Sequence, residues 1–587
     1  MVSTAKDKKR SLKAQQVIDR LGKKLNRQIV GSLTACVHCG MCSDSCHYVL
    51  ANPDDPSYQP AAKADKIRKI FKRHYDWTGR VLPGLVGAKS IFTDEELEDL
   101  KDTVFGKCTN CRRCSINCPM GVDFATFNRM TRGLLVSVGV MPEGVAVVSK
   151  DQWEIGNQMG VLKEDYVDTI EWMSEELVDE VEDPKAEIPI DAPDKDVMYT
   201  INPREVKYDP RSISDAAKIF WAAGESYMMP TEGWDQTNFG LFSGDDELGG
   251  AVANRVYEKA KEMRAKKVVI SECGHGYRST RCEGPNWSGQ DDPVPMESSV
   301  FTMLRYIKEG KIKVDKTKNT GTYTFHDSCN NARSCGLYEE PRELLNLVVS
   351  DFREMYPNRA EGFCCTGGGG AMSMSEYTPE RLKSAKIKAE QLKATGASVV
   401  VTSCHNCVDG LSDCIKHYNI DMEVTQLVNL VANALVIEKP AAEPAPALVE
   451  KSAEGPALAG KKILIIDDEP DVCAYFESVF EDNGATVLTA HSGDEGMKLM
   501  RDEGPDLVTL DLSMPGQDGG KVFEAMRNDK ALAEIPVCII TGKPELRKLI
   551  YERPVKPPEG YLDKPVDEKT LLRNAHKILD LMGDDEE

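Results

Sequence analysis

The spacing of eight cysteines constrains this chain more than any other feature. Cys36, Cys39, Cys42 and Cys46 read C-x2-C-x2-C-x3-C, and Cys108, Cys111, Cys114 and Cys118 repeat the run, with Pro119 following. Three thiolates at that spacing can wrap one face of a cubane iron-sulfur cluster. A pair of zinc sites is the competing reading, but zinc needs only four ligands and gives no reason for a third cysteine at constant spacing. The chain has 19 cysteines, of which all but Cys473 and Cys538 lie between Cys36 and Cys414. In a long chain without an export signal, that abundance points to metal or redox chemistry rather than to disulfides.

At 587 residues the chain exceeds what one hydrophobic core can organise, so several domains are expected. The formal charge of -22 argues against a nucleic-acid partner, which would require a clustered basic face. Residues 1–30 are locally basic, with Lys6, Lys8, Lys9, Arg10, Lys13, Lys23, Lys24 and Arg27. They read as a solvated leader with a short helix, a membrane-surface contact being the alternative. No apolar run reaches the roughly 18 residues of a membrane span, and the start lacks the apolar core of a secretory signal. A cytoplasmic location is expected.

Residues 438–460, EKPAAEPAPALVEKSAEGPALAG, have the Pro/Ala composition of an extended, semi-rigid linker. A weaker boundary falls in the acidic, Pro-containing stretch 179–209. The expected order is a leader (1–30), a first cysteine domain (31–150), a connecting segment (151–208), a central domain (209–437), the linker and a last domain (461–587). The central domain contains a diverged repeat. VVISECGHG from Val268 echoes VVVTSCHNC from Val399, and LFSG from Leu241 sits where FCCT occurs from Phe363. Each echo reads as a buried strand or its flanking loop, with helical segments such as 379–395 around it, giving two related α/β halves.

The first cysteine domain resembles two-cluster ferredoxins, in which the fourth thiolate of each run ligates the other cluster. The resemblance assigns Cys36, Cys39, Cys42 and Cys118 to one [4Fe-4S] cubane and Cys108, Cys111, Cys114 and Cys46 to a second. His47 stands where the bacterial pattern has proline, which leaves the local turn open. The long insertion between the runs makes the domain more similar to the helical ferredoxin domains of multi-subunit redox enzymes. Its Lys63, Lys66, Arg68, Lys69, Lys72 and Arg73 read as a solvated helix face, with docking as the alternative.

In the central domain Cys329, the adjacent Cys364 and Cys365, and the pair Cys404 and Cys407 give C…CC…C-x2-C. The pattern resembles the CCG domain of heterodisulfide reductase catalytic subunits and of their relatives in membrane complexes of sulfate reducers. The resemblance implies that these five cysteines bind a non-cubane or related [4Fe-4S] cluster and form the catalytic site for cleaving a disulfide by single electrons. Thr366 replaces the glycine of the CCG name, and Gly367 to Gly370 follow at once. A phosphate cradle at those glycines lacks the expected strand and helix context. Zinc on four of the five cysteines is a known variant of such domains. Cys273 and His275 are the polar remnants of the first half, read as a buried cysteine and a satisfied histidine, or alternatively as a substrate-side thiol and proton donor. Cys282, Cys335 and Cys414 have no assignable partner and are expected to be structural.

In the last domain KKILIIDDEP (461–470) and DLVTLDLSMPG (506–516) are apolar strands ending in carboxylates, with later strands ending at Thr541 and Lys564-Pro565. The domain resembles a response-regulator receiver, a doubly wound, flavodoxin-like sheet. The resemblance implies Mg2+ held mainly by Asp468 and Asp511 with Asp467 nearby, phosphorylation of Asp511, phosphoryl contacts from Thr541 and Lys564, and Tyr561 as the aromatic switch.

The expected whole is an α/β multidomain protein with a helical two-cluster ferredoxin domain, an α/β CCG domain and a receiver. Such a chain is expected to be a heterodisulfide reductase-like oxidoreductase subunit on the inner face of the cell membrane. Its partners would be an integral membrane cytochrome or quinone-reactive subunit, other iron-sulfur subunits, a disulfide or thiol substrate, and a histidine kinase. A non-catalytic electron conduit and a redox-sensing signalling protein are the alternatives.

Overall fold

The structure is a computed structural model that describes residues 10–291, 293–437, 458–514, 519–542, 550 and 555–579. Most of the expected linker (438–457), the first nine residues of the leader, Pro515, Gly516 and Leu581 lie outside the described residues. The chain divides into two compact units, Met1–Glu438 and Lys439–Glu587.

The first unit opens with helices. Leu12–Lys24 starts behind Ser11, whose hydroxyl accepts from the Ala14 amide at 3.1 Å and caps the helix. Its buried Ala14, Val17, Ile18 and Leu21 recur at the three- to four-residue spacing of one face, while Lys13, Lys23 and Lys24 stay exposed. The insertion between the cysteine runs forms helix Pro60–Tyr75. This helix departs from the solvated face read from its charges, because Lys63 and Arg68 are buried. Lys63 Nζ donates to the Lys107 carbonyl at 2.6 Å and Arg68 Nε to the Leu33 carbonyl at 2.8 Å, while Asp65 pairs with Arg68. Buried cations persist where such acceptors satisfy them. Here they tie the helix to the segments that lead into the two cysteine runs. His47 opens helix His47–Ala51 with Cys46 at its N-cap, so a helix start completes the turn that lacks proline.

Two four-stranded parallel sheets follow and repeat one plan. Strands β1 (Val197–Thr200), β2 (Tyr227–Met228), β3 (Lys267–Ile270) and β4 (Met296–Ser298) lie in the order β2-β1-β3-β4. Strands β5 (Thr322–His326), β6 (Asp351–Phe352), β7 (Val399–Thr402) and β8 (Glu423–Gln426) lie in the order β6-β5-β7-β8. The sequence echo is thus a structural repeat: β3 and β7 hold equivalent places, and each leads to a cysteine, Cys273 or Cys404, at the N-cap of a helix. Parallel strands need helices on both faces, which is why these strands are short apolar runs. The first sheet takes in residues expected to be a connector. Helix Lys163–Val181 and β1 itself both lie within 151–208, and their apolar side chains join the main core.

The second unit carries β9 (Lys462–Ile466), β10 (Thr486–Ala490), β11 (Leu507–Leu510), β12 (Val537–Thr541) and β13 (Gly560–Asp563) in the order β10-β9-β11-β12-β13, all parallel. This is the doubly wound, flavodoxin-like order 2-1-3-4-5, whose direction reverses between β9 and β11. That reversal leaves a crevice at the carboxyl ends of these two strands.

Candidate metal centres

Cys36, Cys39, Cys42 and Cys118 line one cavity, and Cys46, Cys108, Cys111 and Cys114 line a second. In each, the fourth sulfur comes from the other run. Short helices, Met41–Asp44 and Arg113–Ile116, carry the chain onward before Cys46 and Cys118. Both cavities offer four soft sulfur donors, the donor chemistry of iron-sulfur clusters.

The five-cysteine set gathers at the carboxyl ends of β5 and β7, the edge where open α/β sheets place their sites. Cys329 lies on the loop that leaves β5, Cys404 and Cys407 open helix His405–His417, and Cys364 and Cys365 arrive on the loop after β6. All five are buried. Cys365 and Cys407 sulfurs are 3.2 Å apart, Cys364 lies within hydrogen-bonding reach of Cys329 and Cys365, and Cys404 within reach of Cys407. The sulfurs therefore form one continuous group that fits a sulfur-ligated cluster.

Two residues of this site escaped the sequence reading. His326, the last residue of β5, is buried, and its ring nitrogen lies with Cys365 and Cys407 close enough to share a metal ion. Lys388, on helix Lys386–Thr395, is also buried, and burial pulls its ammonium down to about 8 while the nearby Cys365 thiol and Asp327 work the other way. It supplies positive charge beneath a thiolate-rich site. The only signals available were a histidine three residues before Cys329 and a lysine on an otherwise ordinary helix.

The second ferredoxin-type set and the five-cysteine set share a wall. Thr109 Oγ1 lies 3.4 Å from Cys364 Sγ, and Cys111 is within hydrogen-bonding reach of the same sulfur. Fully buried Arg132 donates to the carbonyls of Val104 (2.9 Å), Cys108 (2.6 Å), Phe242 (2.9 Å) and Gly369 (2.7 Å). Arg333 donates to Cys111 O at 2.6 Å and to the Ala360 and Gly362 carbonyls, and Arg113 bonds Ser45 O and Glu361 O while lying over the Phe363 ring. The glycine run explains itself here. Gly369 (φ +68°) packs its α-carbon against Thr109, and a Cβ there would overlap the Thr109 carbonyl oxygen. Thr366 adopts φ +70°, the left-handed region that glycine occupies freely.

In the first half Cys273 Sγ faces His275 Nδ1 at 3.4 Å and accepts from Asn202 Nδ2 at 3.6 Å. His275 is only half satisfied, since its buried Nε2 has no partner among the described residues. Burial pushes its imidazole down to about 3, which favours the neutral form near neutrality. Cys414 is buried and donates to Ala385 O at 3.8 Å, consistent with a structural role. Cys282 and Cys335, for which the sequence offers no assignable partner, meet in the structure with their sulfurs 3.5 Å apart.

In the second unit Asp467 follows β9 and Asp511 follows β11, both buried, with Asp468 half-buried beside them. Their carboxylates lie close enough to share a cation. Lys564 Nζ bridges Asp467 (2.8 Å), Asp511 (3.0 Å) and Glu469 (3.1 Å). Burial opposes that ammonium, but the carboxylates outweigh it and raise its pKa. Thr541 ends β12 with its hydroxyl 3.3 Å from Ser513 Oγ, and Tyr561 is buried on β13.

Residues 32–122 match the 4Fe-4S dicluster domain, residues 323–411 the cysteine-rich domain and residues 463–576 the response regulator receiver domain. The Hdr-like menaquinol oxidoreductase iron-sulfur subunit 2 of Archaeoglobus fulgidus is 26% identical over 477 residues, covering 71% of this chain and 82% of its own length. A subunit of the dihydromethanophenazine:CoB–CoM heterodisulfide reductase of Methanosarcina mazei is 27% identical over 415 residues, covering 69% and 95%. Protein PilH of Pseudomonas aeruginosa is 36% identical over 118 residues, covering 20% of this chain and 97% of PilH. Fold and sites together define an iron-sulfur redox protein with a signalling domain attached. The part before the receiver is similar to heterodisulfide reductase-like iron-sulfur subunits that carry a cysteine-rich domain, and the last domain is a response-regulator receiver.

Proposed function

We propose that this chain is the cytoplasmic, peripheral electron-transfer subunit of a membrane-associated redox complex, and that it reduces, or in reverse forms, a disulfide at the five-cysteine site. The observation that carries the reading is the wall shared by the second ferredoxin-type set and the five-cysteine set, at Thr109, Cys111 and Cys364. The two ferredoxin-type sets would each hold a [4Fe-4S] cubane, and Cys329, Cys364, Cys365, Cys404 and Cys407 a non-cubane or related cluster, together supplying single-electron transfer and an iron site open to sulfur.

The protein's own residues give that chemistry its geometry. Arg132, Arg333 and Arg113 bind main-chain carbonyls on both sides of the wall and fix the separation of the two sulfur groups. Lys388 offsets negative charge beneath the five cysteines. Cys273 lies beside Cys404 from the other half, because Gly274 approaches the Cys404 sulfur so closely that a Cβ would stand 3.3 Å from it.

No helix among the described residues is long and apolar enough to cross a membrane, so membrane contact would run through partner subunits. The relatives named as subunits of a menaquinol oxidoreductase and of a heterodisulfide reductase support partner subunits in general, which would include a quinone-reactive or cytochrome subunit and further iron-sulfur subunits. In the receiver, Asp468 and Asp511 would hold Mg2+ with Asp467 nearby. A histidine kinase would phosphorylate Asp511, with Thr541 and Lys564 contacting the phosphoryl group and Tyr561 reporting it. The test is Cys407→Ala in anaerobically purified protein. Reduction of a disulfide acceptor should be lost while both ferredoxin-type clusters still take up electrons; unimpaired turnover would reject catalysis at this site.

A further inference from the structure

We infer that Cys282 and Cys335 form a second redox-active sulfur site, a dithiol that exchanges with low-molecular-weight disulfides and locks the two α/β halves together when oxidised. The two residues are far apart in sequence and come from different halves. Cys282 lies on the π-helical turn Arg278–Glu283 of the first half, and Cys335 ends helix Ala332–Cys335 of the second. Their sulfurs are 3.5 Å apart, and both residues are partly exposed. A disulfide requires about 2.05 Å, a closure within the range of side-chain rotation. The five buried cysteines of the proposed cluster site offer no comparable solvent-reachable pair.

The surroundings make the two sulfurs unequal. Arg281 is held over the edge of the site by its Nε bond to Met296 O (3.2 Å) and its approach to the Tyr277 ring (5.9 Å). The Cys335 thiol as hydrogen-bond partner, then Arg281, pull Cys282 down to about 6 against burial and Glu283. The bond to Cys282 and burial push Cys335 upward, with Arg278 opposing. A nucleophilic thiolate beside a protonated partner is the arrangement that exchanges disulfides.

The step balances without another oxidant. The Cys282 thiolate attacks one sulfur of a small disulfide RSSR, whose S–S bond breaks and releases RS⁻ with the bonding pair. Cys335 then gives up its proton and attacks the Cys282 sulfur of the mixed disulfide, expelling the second RS⁻. The Cys335 proton ends on one released thiolate and the other keeps the negative charge that Cys282 carried, so RSSR is reduced by two electrons as the dithiol is oxidised.

The position gives oxidation a consequence. The Ser334 amide donates to the Cys329 carbonyl at 3.2 Å, and Arg278 reaches from the Cys282 turn to Asn330 Oδ1 at 3.3 Å. The bridge would therefore fasten the first half to the segment that carries Cys329.

The test uses the full chain, purified anaerobically with its iron content monitored, equilibrated in mixtures of oxidised and reduced glutathione. Alkylation and peptide mass spectrometry should find one new linked pair, Cys282 with Cys335. Cys335→Ser should accumulate the glutathione adduct on Cys282, whereas Cys282→Ser should leave Cys335 free. In the wild type, alkylation of Cys282 should show a pH midpoint below that of an ordinary thiol, which rises in Arg281→Ala, a readout that does not depend on either cysteine variant folding. Both cysteines staying fully alkylatable across the glutathione series would overturn the site, and an adduct on Cys335 instead of Cys282 would overturn the assigned roles.

Discussion

Gly369→Ala tests the wall between the two sulfur groups more sharply than removal of any ligand. Alanine at φ +68° incurs the left-handed penalty of about 1–2 kcal/mol. Its methyl would also meet the Thr109 carbonyl, and relieving such overpacking typically costs about 1–3 kcal/mol. The neighbour Gly368 supplies the control, because it lacks a positive φ and a Cβ there finds its nearest contact at 3.9 Å. Unfolding entropy near 2.1 cal/mol/K per residue, over the 438 residues of the first unit, makes each kcal/mol worth roughly 1 °C. Gly369→Ala should therefore lower that unit's calorimetric transition by about 2–5 °C, and Gly368→Ala by less than about 1 °C. Because the methyl pushes the Thr109 loop away from Cys364, Gly369→Ala should also slow oxidation of the ferredoxin-type clusters by a disulfide, with iron content unchanged. Equal behaviour of the two variants, in stability and in rate, would refute the argument that the glycine run exists for this close approach.

Arg132→Met removes the guanidinium that donates to the Val104, Cys108, Phe242 and Gly369 carbonyls, of which Val104 O keeps Asn128 Nδ2 at 2.9 Å, and should cost about 3–5 kcal/mol, measurable by anaerobic denaturant titration. Burial raises Asp215 to about 7, although Asn429 Nδ2 at 2.8 Å works the other way. The folded state then holds a proton that the unfolded chain releases near pH 4, so this contribution is full below about pH 4 and is lost as the pH rises through about 7. Asp215→Asn should flatten that fall and raise stability at about pH 8 by roughly 2–4 kcal/mol. Incubation with magnesium and acetyl phosphate should label the wild type but not Asp511→Asn, and labelling that changes neither turnover nor subunit binding would exclude regulation through the receiver.

Legibility followed the spacing of chemically special residues. The two cysteine runs, the C…CC…C-x2-C set and the receiver carboxylates could be read directly, because ligand geometry and strand ends constrain sequence at short range. The crossing of Cys46 and Cys118 into opposite cavities came from resemblance, and the structure brings those sulfurs together in the same sets. What stayed hidden was set by packing between distant segments. Strand β1 is four residues long behind an acidic stretch, so its membership in the first sheet depends on partners 30 and 70 residues away, as in the pairing of Val197 with Tyr227 and Lys267. The charges of Lys63 and Arg68 suggested solvent, but carbonyls contributed by other segments decided their burial. Cys282 and Cys335 lie 53 residues apart, and only the docking of two halves brings them together.

The proposed route for electrons runs from the second ferredoxin-type cluster across the Thr109–Cys364 wall to the five-cysteine site. It is tested by anaerobic stopped-flow oxidation of fully reduced protein by a disulfide, following the visible absorbance of the clusters in the wild type and in Cys407→Ala. Along this route both ferredoxin-type clusters reoxidise rapidly in the wild type and stay reduced in the variant. Equally fast reoxidation of the two proteins would exclude it, because electrons would then leave without passing through the five-cysteine site.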